Sequence, residues 1–138
     1  MKVLIRINNF QFAGDERQEI TDTVSGELFT GENEFSLCYP DKNLGGQTTV
    51  TVSGSDFVSV NRVNSGYNTE MIFEKGRTRP FVYATPYGEI MLETKTDSVL
   101  SLVERNGGFI EFEYDLMSGG EKQSRNRMRI SFSEEKDV

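Results

Sequence analysis

Few groups in this chain could do chemistry, and none of them is a histidine. Without imidazole there is no Ser-His or Cys-His nucleophile pair, and the commonest general base and the usual nitrogen ligand of zinc or haem are missing. One thiol is present, Cys38. A single cysteine excludes an intramolecular disulfide and a Cys-x-x-Cys site, and its alternating apolar surroundings read as those of a small buried hydrophobe. That leaves arginine, tyrosine, lysine and carboxylates. Arg77 and Arg79 precede Phe81 and Tyr83. Guanidinium groups beside aromatic rings suit an anion site at the mouth of a cavity, gripping a carboxylate or phosphate; surface arginines near a turn would look the same. Tyr83, Tyr87 and Tyr114 each have an apolar body and a polar tip, which suits an amphipathic ligand and equally an ordinary strand. The ligand-binding candidates are therefore Arg79, Tyr83, Tyr87 and Tyr114. No catalytic residue, metal ligand or cofactor is assigned.

Other motifs point away from enzymes. Glu111 and Glu113 stand two apart on one strand face, whereas glycosidase carboxylates face each other across a cleft. Gly45-Gly46, Gly107-Gly108 and Gly119-Gly120 lack the downstream Lys-Ser/Thr and the helix of a phosphate-cradling loop. No EF-hand spacing of acids occurs. The expectation is a protein that is not an enzyme.

A length of 138 residues is one domain's worth, enough to bury roughly two-thirds of its unfolded surface. The formal net charge of −7 and pI of about 4.7 disfavour phosphate backbones and anionic membranes. Arg125, Arg127 and Arg129 alone would suggest nucleic acid, but Glu111, Glu113 and Asp115 neutralise them. The run from Met1 to Asn9 is interrupted by Arg6, so it does not read as a secretory signal. No segment has the length of a membrane-spanning helix. The expected location is the cytoplasm.

The elements that must position these residues are strands. Period-two alternation runs through Lys2 to Phe12, Arg17 to Thr30, Glu34 to Tyr39, Gln47 to Ser53, Phe57 to Val63, Asn68 to Glu74 and Arg77 to Ala84. Glu89 to Thr96 follows, with Ile90, Leu92, Thr94 and Thr96 on one side. Asp97-Ser98 separates it from Val99 to Glu104. Asn106-Gly107-Gly108 reads as a type I′ hairpin turn, whose central residues need positive φ. Gly26 marks a bulge or bend within its strand. Pro40 to Gly46 reads as a rim flap, Asn64-Ser65-Gly66 as a turn, and Thr85-Pro86-Tyr87-Gly88 as a turn set by proline and glycine. No helical periodicity is found.

In the final hairpin, Ile110, Phe112, Tyr114 and Leu116 must face Met128, Ile130 and Phe132. A three-residue loop, Gly119 to Glu121, meets that condition. It sets Phe112 opposite Met128, Ile110 opposite Ile130, Glu111 opposite Arg129, Glu113 opposite Arg127 and Asp115 opposite Arg125. On that register, exchanging Glu113 and Arg127 restores what either single change loses. The series of strands predicts an all-β, closed, antiparallel up-and-down meander barrel of about eight to ten strands. The domain spans 1–133, with a frayed acidic tail over 134–138.

Thr85 to Ile90, the alternation from Leu92 to Thr96, and Gly107 to Leu116 resemble a family of small bacterial proteins of unknown function. The likeness is densest from Met71 to Phe132. It implies a calycin-like, that is lipocalin-like, barrel and no catalytic residue. A barrel of this size can enclose a small amphipathic or apolar molecule or be filled by its own side chains. The alternative is an interaction protein, a homodimer for instance, with no enclosed ligand.

Overall fold

Alternation of apolar and polar side chains along the chain produces ten strands: β1 Lys2–Ala13, β2 Glu16–Gly31, β3 Glu34–Pro40, β4 Gln47–Ser53, β5 Phe57–Val63, β6 Asn68–Glu74, β7 Thr78–Thr85, β8 Gly88–Glu104, β9 Gly107–Ser118 and β10 Glu121–Glu134. The structure, a computed structural model, describes residues 1–41, 45–64, 66 and 68–136. The Pro40 to Gly46 flap, the Asn64-Ser65-Gly66 turn and the end of the acidic tail each fall partly outside the described residues.

All strand pairs are antiparallel, in the order β6-β5-β4-β3-β2-β1-β10-β9-β8-β7. Chain neighbours pair throughout except β6 and β7, and β1 pairs with β10 to join the two ends of the sequence. The meander therefore nearly closes on itself. Among the described residues no ladder joins β6 to β7. Single bonds fill that seam instead. The Thr94 hydroxyl donates to the Ile72 carbonyl at 2.6 Å. Arg79 reaches Glu74 at 2.7 Å, and the Gly76 amide donates to the Thr96 carbonyl at 2.8 Å. These bonds occupy edge groups that would otherwise be open to pairing with another chain.

Three cross-strand rows line the inner face of the short strands β3 to β6. Phe35, Val52, Val58 and Phe73 form the first, and Leu37, Val50, Val60 and Met71 the second. The third is polar: Tyr39, Thr48, Arg62 and Thr69. Phe35 and Phe132 meet at 5.9 Å between ring centres and plug one end. Phe112 is 1% exposed and Leu92 is half-buried, so the alternation has been read the right way in.

Three local expectations need correction. Asp97-Ser98 does not separate two strands; β8 runs unbroken for 17 residues, with a bulge between Thr96 and Ser98. One extra residue absorbs the change of parity, so Thr94 and Thr96 before it and Val99 after it all face inward. In the last hairpin the paired residues are as expected, but the loop is the two-residue Gly119-Gly120, closed by Ser118 opposite Glu121. Both glycines have positive φ, 58° and 84°, as a type I′ turn requires. A bulge between Lys122 and Ser124 supplies the missing residue. The turn between β8 and β9 has Arg105 and Asn106 at its centre, and neither has positive φ. Gly107 and Gly108 are strand residues pressed against neighbours, not turn residues. At the C-terminus, Glu134 still belongs to β10, and the Glu135 amide donates to the Lys2 carbonyl at 2.9 Å.

The outer face of β9 and β10 carries the charges, and their bonds run diagonally. Arg127 lies 2.7 Å from Glu111 but 3.8 Å from Glu113. Arg125 reaches Glu113 at 3.0 Å, Asp115 at 3.2 Å, and the bulge residue Asp97. Arg129 reaches Glu111 at 3.3 Å. Strand twist displaces long side chains by about one pair, so the nearest partner is not the residue directly opposite. Exchanging Glu113 and Arg127 would place like charges beside Arg125 and Glu111, so the double exchange is expected to give no recovery. Arg125→Gln removes the centre of the network. It is expected to cost about 1 kcal/mol at low salt, and less as salt rises. Urea titrations at low and high salt check this, and equal losses at both would sink it.

Candidate functional site

Alternate turns of an antiparallel meander fall at the same end. The turns after β1, β3, β5, β7 and β9 therefore share one rim, opposite the Phe35–Phe132 plug. At that rim the lumen opens into a cavity of about 490 Å³ whose wall takes side chains from all ten strands. Its floor is apolar: Val50, Val60, Met71, Phe73, Phe112 and Ile130. Phe73 packs against Phe112 at 4.5 Å and against Tyr114 at 4.6 Å between ring centres. Polar groups enter higher on the wall, at Asn9, Asp22, Tyr39, Thr48, Arg62 and Tyr114.

The sequence candidates are not all brought together. Tyr114 is buried in the lumen wall, and Tyr83 lines the cavity while half-exposed. Tyr87 is fully exposed at the tip of the β7–β8 turn, where the Thr85 hydroxyl accepts from its amide at 3.2 Å. Arg79 sits in the β6–β7 seam on Glu74, and Arg77 reaches the same carboxylate at 3.5 Å. One acid thus answers both guanidinium groups of the mouth motif, and neither lines the lumen.

Arg62, which the sequence reading passed over, does line it. The signal was available. Val58, Val60 and Arg62 share one face of β5, so a charge occupies a position the pattern reserves for an apolar side chain. Asn9 stands in the same relation to Ile5 and Ile7 on β1. Asn9 Oδ1 and Arg62 Nε are both buried without a hydrogen-bond partner among the described residues. Buried polar groups are normally satisfied, so two orphans facing one cavity mark where an occupant's polar groups would go.

The two lumen phenols are hard to ionise. Burial raises Tyr114 to about 12, with Arg62 acting in the opposite direction. Burial also raises Tyr39 to about 12; Arg62 lowers it, and Asp41 and Asp22 raise it. Both stay protonated at neutral pH and are donors, not bases. A phenol whose folded value exceeds its unfolded value of 10.0 contributes its full stability below about pH 10 and loses it on the way to about pH 12. The slope is at most about 1.4 kcal/mol per pH unit for each group. Stability measured by urea titration is expected to fall across that window, and Tyr114→Phe to flatten the fall. The same slope in parent and variant would refute the assignment. Among the described residues no cluster of three or more His, Cys, Asp or Glu side chains is arranged to hold a metal ion.

Fold and site together define a ten-stranded antiparallel meander barrel with an apolar, polar-rimmed lumen. The chain belongs to the family described as "Domain of unknown function (DUF1934)", which matches residues 5–130. It is 24% identical over 119 residues to the "Uncharacterized beta-barrel protein YwiB" of Bacillus subtilis (strain 168), covering 86% of this chain and 84% of that protein. The crystal structure of ywiB protein from Bacillus subtilis superimposes with a TM-score of 0.86 at 23% identity, covering 98% of this chain and 92% of that one. That likeness shows the fold, the all-β antiparallel meander barrel expected from the sequence.

Proposed function

We propose that the lumen holds a small, partly apolar molecule and that the protein is a binding module without a catalytic step. One observation carries this reading: a cavity of about 490 Å³ walled by every strand of the barrel. Ligand pockets usually fall in the range of about 300–1,000 Å³ and combine apolar walls with a few placed polar groups. Phenols kept protonated favour binding over acid–base work. Neither nucleic acid nor a membrane is a partner in this reading. Incubation with cell extract, followed by native mass spectrometry, is expected to show retained small molecules on the parent protein and none on Met71→Trp, which fills the lumen. An empty parent, or equal retention by both folded proteins, would overturn it.

A second reading is self-association or a protein partner. It draws on Met91 and Leu100, which are 61% and 59% exposed on the outer face of β8. A monomeric mass by light scattering at high concentration would argue against a homodimer.

A further inference from the structure

We propose that the molecule held in the lumen is an amphipathic anion, its carboxylate received by Arg62 and its apolar body lying along Val50, Val60, Met71 and Phe112. This rests on the lumen being a binding site. The first ground is Arg62 itself. Its inward place on β5 leaves it half-buried at the rim of the lumen, and its Nε is buried with no hydrogen-bond partner among the described residues. No ion pair reaches it among the described residues, whereas Arg79, at the seam, is matched by Glu74 at 2.7 Å. A cation facing an apolar cavity with a donor unspent is costly unless something anionic completes it, and the planar guanidinium fits a carboxylate best.

The second ground is the distribution of charge around it. Asp22 and Asp41 also line the cavity and would repel an anion near them. Their influence falls on Tyr39, whereas Tyr114 feels Arg62 and neither aspartate. The favourable position for a carboxylate is thus between Arg62 and Tyr114, where the protonated phenol is a second donor. The third ground is the layering of the wall. The polar row Tyr39, Thr48, Arg62 and Thr69 lies directly above the apolar row Leu37, Val50, Val60 and Met71. A ligand entering at the rim would meet the charged group at one end of its length and hydrocarbon along the rest.

Isothermal titration with decanoate, decanol and decylammonium tests the assignment on the full chain. Decanoate is expected to bind the parent most tightly. Arg62→Met is expected to weaken decanoate by about tenfold to a hundredfold, the loss typical of a charge-assisted bond, while leaving decanol nearly unchanged. Retained decanol binding also reports that the variant is folded. Tyr114→Phe is expected to weaken decanoate selectively and by less. Equal losses for decanoate and decanol, or decylammonium binding tightest to the parent, would overturn the anion assignment while leaving the lumen reading intact. If none of the three binds the parent, the lumen reading falls and the anion with it.

Discussion

Phe112→Ala is expected to lower the free energy of unfolding by about 3–5 kcal/mol. A domain of this size has about 5–15 kcal/mol in all, so the variant is expected to melt early and in part unfold at ambient temperature. Phe112 is central because it separates the open lumen from the plugged end. Its ring packs at 4.5 Å against Phe73 of β6, a strand far away in the sequence, and lies 6.0 Å from Tyr114, two residues on in β9. Truncation removes contacts to β6 and β9 together and leaves a void that neighbours on rigid strands can only partly refill. Phe112→Leu keeps most of the volume and is expected to recover about half the loss. A loss below about 1 kcal/mol for the alanine variant would mean that the ring faces a wet lumen and not a packed floor.

Gly108→Ala is expected to destabilise at the upper end of the range of about 1–3 kcal/mol for overpacked sites. The reason is space and not backbone conformation, since Gly108 has no positive φ. A Cβ there would lie 2.0 Å from the Leu102 carbonyl oxygen and 2.9 Å from Phe132 Cζ. The oxygen belongs to the paired strand β8, so relief requires the ladder itself to shift. Gly119 provides the contrast. Its φ is +58° and nothing lies within 4 Å of a Cβ built on it, so it needs a conformation and not room. Gly119→Asn, with a side chain that tolerates left-handed backbone, is expected to be close to neutral. Thermal melts of the two variants distinguish the mechanisms. Equal shifts would show that hairpin conformation, and not the approach of β8, demands glycine at 108.

Legibility followed distance along the chain. β4, β5 and β6 have the boundaries that alternation assigned to them, because strand character is written in adjacent residues. The register of β9 on β10 was also readable, since apolar rows must face each other. How the register is reached was not. A two-residue loop plus a bulge gives the same pairs as a three-residue loop, and only closure of the whole sheet selects between them. The Asp97 bulge was misread for a related reason. Two apolar runs of opposite parity look like two strands unless a neighbouring strand is seen pairing across both.

The candidate site was harder. Tyr114 lies in the lumen wall, where an aromatic residue on the inward face of a strand has to be. Arg79 was grouped with it for preceding the aromatic Phe81 and Tyr83, and Tyr87 for its amphipathic side chain, yet one lies on Glu74 in the seam and the other projects into solvent.

The sequence alone determined that the chain is a meander of antiparallel strands with one greasy and one charged face, because each side chain's facing depends on its immediate neighbours. It also determined that the sequence supplies no histidine and cannot form an intramolecular disulfide, because composition does not depend on folding. Tertiary structure decided where the sheet stops short of closing, how much room the aromatic side chains leave inside, and that Arg62 rather than Arg79 lines the lumen, its Nε without a hydrogen-bond partner among the described residues. Those outcomes depend on which distant strands are brought within a few ångströms of one another, and no local pattern encodes that distance.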